Sequence, residues 1–375
     1  MNKHLPTYFD DFLKEIRPTP EEVTAYKEAH ETLRERLTTD PKLSPAIVNT
    51  FLQGSYRRAT AVRPERGRRS DVDVVAVTCM SEDEYTPQDA MDEFEKFLDT
   101  HYEGQWKLQG RSIGIAVDGI VLDLVVTSAP SEAQEGILKS ASVSTDKSLE
   151  EASDWRLASS WLPMEMRPGS GVLAYRAPDV AQWKLEPLRI PDRDAAAWQD
   201  THPLEQIRWT QEKNGLCNSH YVNVVKALKW WRRAKHPTPK YPKGYPVEHL
   251  IGVCCPDDIQ SVAEGVTLTL EAIARDYQIY ADLNIVPTLA DHGVPSQNVW
   301  KRISSADFVA FHKQVCNAAE IARRAFDEEE DLRAKVKDWQ RLFGDEFPDP
   351  PDDSGGRGGF TPRTGPTKIA SGRFG

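Results

Sequence analysis

Three aspartates set in otherwise apolar, strand-forming segments constrain this chain more than any other feature. In a strand, the run Ser70-Asp71-Val72-Asp73-Val74-Val75-Ala76-Val77 puts Asp71 and Asp73 on one face, about 7 Å apart along it. Asp123 stands in the middle of Ile120-Val121-Leu122-Asp123-Leu124-Val125-Val126, where burying a carboxylate without a partner is expensive. Carboxylates on one face repel unless a cation lies between them, and hard, oxygen-seeking Mg²⁺ is the usual solution. If the two strands are neighbours, three carboxylates meet at one metal site.

The segments around them read as a sheet flanked by helices. Ala46–Leu52, Gln105–Gln109 and Ser112–Val117 join Asp71–Val77 and Ile120–Thr127 as strands. Thr19-Pro20-Glu21-Glu22 signals a long helix with a capping box, carried by Val23, Tyr26, Leu33 and Leu37. Thr86-Pro87-Gln88-Asp89 opens another through Phe94, Phe97 and Leu98. Residues 130–190 read as loop-rich. From about Trp198 helical patterns dominate, with an apolar stripe Tyr221, Val224, Val225, Leu228, Trp231 and further helices over Glu248–Val253, Val262–Tyr277 and Ala306–Glu330. The expected fold class is α+β: a sheet-bearing lobe with flanking helices packed on a helical C-terminal lobe across a central cleft. The expected division is 1–45 (N-terminal segment and a spine helix bridging the lobes), 46–190 (catalytic lobe), 191–347 (helical lobe) and 348–375 (tail). The tail carries five prolines and seven glycines and cannot bury enough apolar surface to fold alone.

Just upstream of the aspartates, Gly54-Ser55 follows a strand. Gly allows close approach of backbone to a phosphate, and the Ser hydroxyl with adjacent N–H groups can hold its oxygens. A phosphate cradle beside paired carboxylates points to metal-assisted phosphoryl transfer with in-line displacement between two cations. The linker to Asp71 is crowded with Arg57, Arg58, Arg63, Arg66, Arg68 and Arg69. Some of these suit a triphosphate, while Arg66, Arg68 and Arg69 equally suit a solvated loop. Lys226, Lys229 and Arg233 fall along one helical ridge. Trp198, Trp209, Trp230 and Trp231 read as core residues first and base platforms second. Cys217-x-x-His220 and His249 with Cys254-Cys255 are zinc-type ligands without the paired C-x-x-C rhythm of a strong site.

Composition removes several classes. Among 375 residues, 47 Lys+Arg against 58 Asp+Glu give a net charge of 47 − 58 = −11, which disfavours a protein that coats nucleic acid but not one with a local basic pocket. No apolar run is long enough to span a membrane, and acids stand where a signal peptide would be apolar. The five cysteines are odd in number and irregularly spaced, which suits a reducing cytoplasm.

Gly54-Ser55, Asp71-x-Asp73 and a later Asp123, in that order, resemble the DNA polymerase β-like nucleotidyltransferases. The wording GSYRRATAVRP…DVDVV is closer still to the bacterial cGAS/DncV-like nucleotidyltransferases (CD-NTases) of CBASS anti-phage defence. The likeness runs on through QGRSIGI at 109–115, DWRL at 154–157, residues 201–221, VKALKWWRR at 225–233, YPKGYPVEHLIG at 241–252 and AEIAR at 319–323. These later blocks look like clade D, the CdnD-type cyclic trinucleotide synthases. The resemblance implies a polymerase β-like catalytic lobe that condenses ATP and GTP into a cyclic AMP-AMP-GMP messenger for a downstream effector, with pyrophosphate release. It implies Asp71, Asp73 and Asp123 as ligands of two Mg²⁺ ions, with Mn²⁺ able to substitute. Gly54, Ser55 and Lys229 would hold the donor triphosphate, with Lys226, Arg57 and Tyr245 as further nucleotide contacts. Where relatives often carry Ser-Tyr, this chain has Gly244-Tyr245, so Tyr245 is left to stack on a base. Some tails of this kind are joined through a terminal glycine, here Gly375, by an E1/E2-like enzyme. No nucleic-acid template and no membrane contact are expected. Two other readings of the same residues stay open: a template-independent transferase acting on RNA 3′ ends or a small molecule, and a conjugation scaffold with an idle active site.

Overall fold

The computed structural model describes residues 4–64, 70–132, 135–136 and 186–350. Arg66, Arg68, Arg69, most of the loop-rich stretch and the tail with Gly375 lie outside the described residues.

Among the described residues seven strands make one sheet: β1 (Ile47–Gln53), β2 (Ser70–Thr78), β3 (Trp106–Leu108), β4 (Ile113–Val117), β5 (Ile120–Ser128), β6 (Leu188–Asp192) and β7 (Ala197–Thr201). The main order is β1-β2-β5-β4-β3, with β2 and β5 parallel and the other pairs antiparallel. β6 continues from the far end of β5 through Ser128 and Arg189, and β7 pairs with β6. The helices are α1 (Pro6–Ile16), α2 (Pro20–Thr39), α3 (Gly54–Arg57), α4 (Pro87–Asp92), α5 (Glu95–Tyr102), α6 (Pro203–Leu216), α7 (Tyr221–Ala234), α8 (Tyr245–Cys254), α9 (Val262–Asp276), α10 (Gln278–Asp282), α11 (Ser305–Arg323) and α12 (Leu332–Phe343). Among the described residues no helix is long and apolar enough to cross a membrane.

Alternation along β2 and β5 divides the apolar residues between two faces. Val72, Val74, Ala76, Leu122, Leu124 and Val126 join the main core. Val75, Val77 and Val125 turn to the opposite face, where Leu204 and Ile207 of α6 and Leu188 and Ile190 of β6 cover them. That cover reaches only the C-terminal halves of the two strands. Asp71, Asp73 and Asp123 occupy the same face at the N-terminal halves, where the sheet opens into a cleft.

α2 begins with the expected capping box: Thr19 N–H donates to Glu22 Oε2 at 2.7 Å and Glu22 N–H to Thr19 Oγ1 at 3.2 Å, an arrangement worth about 1 kcal/mol. It packs on β1, β2 and β5, whereas α1 crosses to α7 and α9 of the helical lobe. Phe12 stacks on Phe343 at 4.5 Å and Phe9 meets Trp339 edge-on at 5.0 Å. The lobes are therefore tied by α1 and α2 together rather than by α2 alone.

Several elements differ from the sequence expectation. The helix expected through Leu98 breaks at Glu93-Phe94 into α4 and α5. The one expected over Ala306–Glu330 ends at Arg323 and passes into a π turn over Arg324–Glu328. Trp198 belongs to a strand, so the change from sheet to helix falls at His202, later than residue 190.

Candidate active site

The turn leaving β1 is shaped by its neighbour. Gln53 pairs with Asp73, and Gly54 follows with φ +73°, a conformation that favours glycine. A Cβ at Gly54 would lie 1.8 Å from Asp73 Oδ2, so glycine is required there both for its backbone and for its lack of a side chain. One helical turn, α3, then closes the loop, with Arg58 N–H donating to Gly54 O and Thr60 N–H to Ser55 O at 2.9 Å.

The parallel register puts Asp73 directly beside Asp123 and Asp71 beside Val121, so the three carboxylates share one patch of one face, strands about 4.8 Å apart. Gly114 lies opposite Asp123 on β4, and Gln109 Nε2 donates to Asp123 Oδ1 at 3.0 Å. Burial and the neighbouring Asp123 push the Asp73 carboxyl up to about 6, against the pull of Arg58. Burial and then Asp71 push Asp123 up; burial pushes Asp71 up while Lys243, Lys229 and Arg233 draw it back. Among the described residues no three His, Cys, Asp or Glu side chains close on a common point, so the trio is a row of neighbours rather than a finished cage. Its chemistry nonetheless fits a hard divalent cation: oxygen donors only, adjacent in register, and each raised by effects that a cation would reverse.

Two cavities border parts of this row, through Asp71 and Asp123, and Asp73 lines neither. The larger, about 540 Å³, lies between the lobes, with Ser55, Tyr56 and Asp71 on the sheet side and Lys229, Arg232, Arg233, Lys240 and Lys243 on the helical side. Five cations against one carboxylate make it an anion site within a molecule of net charge −11. The second, about 490 Å³, lies over β3, β4 and β5, lined by Trp106, Lys107, Gln109, Asp71 and Asp123 among others. Asp71 borders both. Both volumes fall in the range of roughly 300–1,000 Å³ of ligand sites.

Lys229 is on the wall as expected. Its Nζ donates to Thr60 O at 2.9 Å and reaches Glu248 Oε2 at 3.4 Å. Glu248, 3% exposed, also accepts from Arg58 Nε at 2.7 Å and Thr60 Oγ1 at 2.9 Å. Burial opposes its charge, but Arg58 and Lys229 hold its carboxyl down to about 2.

Three expected nucleotide contacts are placed elsewhere. Lys226 is fully buried and donates to Asn223 Oδ1 at 3.0 Å, so the ridge is Lys229 and Arg233 only; the inner side of α7 is packed against other helices. Arg57 is buried and absent from both cavity walls, because the single turn of α3 carries it away from the cleft. Tyr245 borders neither cavity: its ring lies under the Arg58 guanidinium at 5.1 Å, and its hydroxyl donates to Asp291 Oδ2 at 2.9 Å. None of Trp198, Trp209, Trp230 and Trp231 borders either of these two cavities; Trp106 borders the second. Three of the zinc-type residues have other contacts. Cys217 and Cys255 both meet Pro256 O, and His249 stacks on His292 at 3.8 Å. Sequence reasoning missed Glu248, Thr60, Gln109, Lys240 and Lys243. Glu248 alone had a clear signal, as a carboxylate inside the apolar helix Tyr245–Cys254.

The Second Messenger Oligonucleotide or Dinucleotide Synthetase domain matches residues 4–131. The chain is 43% identical, over 99% of both chains, to a cyclic AMP-AMP-GMP synthase of Enterobacter hormaechei subsp. hoffmannii (strain UCI 50). It is 43% identical over the same shares to a probable cyclic AMP-AMP-GMP nucleotide synthase of Salmonella paratyphi B. A CdnC chain of E. coli MS115-1, solved in complex with HORMA-deltaN, superposes with a TM-score of 0.62 at 16% identity, covering 92% of this chain and 99% of that one.

Proposed function

The chain belongs to the cGAS/DncV-like nucleotidyltransferases, the CD-NTase family of cyclic oligonucleotide synthases, and from that premise we propose that it joins ATP and GTP into a cyclic AMP-AMP-GMP trinucleotide. The clade D product and an anti-phage role in the cytoplasm are part of this reading.

One observation carries the mechanism: Asp71, in the row of carboxylates, borders two cavities, one of them walled by cations and the other bordered by Asp123 as well. The donor nucleotide lies in the basic cavity, its β- and γ-phosphates held by the Ser55 hydroxyl and the N–H groups of the Gly54–Ser55 turn, with Lys229, Arg233 and Lys243 opposite. The acceptor lies over β3, β4 and β5, with its ribose hydroxyl toward Asp123. Asp71 and Asp73 would hold both metal ions, and Asp123, which accepts from Gln109, would complete the set on the acceptor side. When bound, two Mg²⁺ ions, or Mn²⁺ in their place, would supply charge neutralisation for the transfer. The acceptor hydroxyl oxygen bonds to the donor α-phosphorus as the bond to pyrophosphate breaks, and the hydroxyl proton is lost to solvent. The basic wall retains the outgoing charge until release. Two further rounds, the last within one molecule, close the ring.

The test is product analysis with purified protein, Mg²⁺ and labelled NTPs singly and in pairs, beside Asp71→Asn/Asp73→Asn. A phosphatase-resistant trinucleotide needing both ATP and GTP, absent from the variant, is the expected result. A linear product, or label retained only on added RNA, overturns it. The tail is read as a conjugation handle, with Gly375 as the acyl donor to an E1/E2-like enzyme.

A further inference from the structure

Glu248 has no part in the steps above, and its position is unusual for a carboxylate. It lies on α8 between Val247 and the buried run His249-Leu250-Ile251. A buried ion pair is weak ground for stability, since desolvation offsets most of the attraction and packed apolar side chains serve a core as well. What such a cluster does well is fix positions.

Here it fixes two that belong to different lobes. Arg58 and Thr60 follow the Gly54–Ser55 turn, and Thr60 holds Ser55 O with its N–H at 2.9 Å and its hydroxyl at 3.4 Å. Lys229 comes from α7. Glu248 Oε1 takes Arg58, and Oε2 takes both Thr60 and Lys229. The ring is closed by Lys229 Nζ donating to Thr60 O. Between Arg58 and Thr60, Ala59 adopts φ +57° with no exposed surface. A residue with a Cβ enters that region only when its surroundings impose it. The reversal there presents both neighbours to Glu248.

We infer that Glu248 is a positioning residue for the donor triphosphate: one carboxylate registers the Ser55 turn of the sheet lobe against Lys229 of the helical lobe, setting both halves of the phosphate grip together. This rests on the reading that Ser55 and Lys229 hold the donor. Glu248 touches no substrate; it acts through Thr60 and Lys229. Burial lowers the Lys229 ammonium's affinity for its proton, and Glu248 is the carboxylate that opposes this.

The test is a double-mutant cycle on the full chain, with the affinity of a non-hydrolysable ATP analogue read by calorimetry and kcat and KM for ATP read from initial rates. Glu248→Gln keeps the shape of the side chain and removes its charge. It is expected to weaken analogue binding about tenfold, the size of a lost charge-assisted contact, with KM rising more than kcat falls. In the Lys229→Met background the same change should add less than about twofold, because residues acting through one contact are not additive. Thr60→Val, which leaves both ion pairs in place, should weaken binding severalfold in the same KM-dominated way. Wild-type analogue affinity in Glu248→Gln, or losses that multiply in the double variant, overturns the inference. Should Glu248→Gln not fold, wild-type affinity in Thr60→Val overturns it instead. A wild-type chain that binds no nucleoside triphosphate would refute the donor site itself, a separate result.

Discussion

Gly54→Ala is the smallest change that tests how the site is built. The added methyl would lie 1.8 Å from Asp73 Oδ2, 2.7 Å from its Cγ and 3.2 Å from its Cβ. Bringing the first contact out to a tolerable separation of about 3 Å moves the Asp73 carboxylate by roughly 1 Å. The residue must also hold φ +73° with a Cβ, which costs about 1–2 kcal/mol. Stability should therefore fall modestly, by a few degrees of Tm in a chain of this length. Activity should fall far more, since displacing a reacting group by about 1 Å costs on the order of 10²-fold. Two assays separate the contributions: thermal unfolding and single-turnover pyrophosphate release. The steric part depends on the Asp73 carboxylate, so in an Asp73→Ala background Gly54→Ala should retain only the backbone penalty and lower Tm less than it does alone. Near-wild-type turnover in Gly54→Ala, or an equal Tm drop in both backgrounds, would falsify the contact as the reason for glycine.

Asp73→Asn should abolish turnover and yet stabilise the metal-free protein at neutral pH. A native carboxyl pushed up to about 6 from its ordinary 3.8 holds its proton more tightly folded than unfolded. Stability conferred on the native state is thus lost as pH rises from about 4 to about 6, by at most roughly 3 kcal/mol. With chelator at pH 7.5 the variant should melt above wild type by several degrees, and the two should converge near pH 4; a lower Tm for the variant at pH 7.5 contradicts the repulsion described for the carboxylate row. Removal of residues 371–375 should leave cyclic nucleotide synthesis by the purified protein unchanged while abolishing any higher-mass conjugate formed with an E1/E2-like enzyme; a conjugate that persists without Gly375 rules the tail out as the donor.

The parts of the site that lie along strands were readable because strand geometry is local. A period of two puts Asp71 and Asp73 on one face whatever surrounds them. Asp123 was readable because a charge inside an apolar run needs a partner, and the in-register pairing with Asp73 supplies the context that makes it costly without a cation. Gly54 was read as the place where backbone approaches a phosphate, whereas the structure gives a different reason for glycine there, the carboxylate of Asp73, 19 positions later.

Helical positions were less legible, because a helix presents side chains in all directions and only its packing says which face meets solvent. Lys226, Lys229 and Arg233 share a ridge by spacing, yet Lys226 is fully buried and donates to Asn223, leaving the other two on the cavity wall. Tyr245 is diverted by long-range partners: Arg58, from the other lobe, covers its ring, and Asp291 takes its hydroxyl. Lys240 and Lys243 went unnoticed because they stand in a loop with no periodicity to place them. The same asymmetry explains how an acidic chain builds an anion site. The net charge of −11 is summed over the whole surface, whereas the field in a cleft is set by the few groups lining it, within about a Debye length. On that wall the five cations come from the α7 helix and the loop after it, and the sheet contributes the carboxylate. On the proposed reading, sign separation between lobes is therefore what would let phosphate oxygens and carboxylates share one cleft, with divalent cations needed only where the two meet.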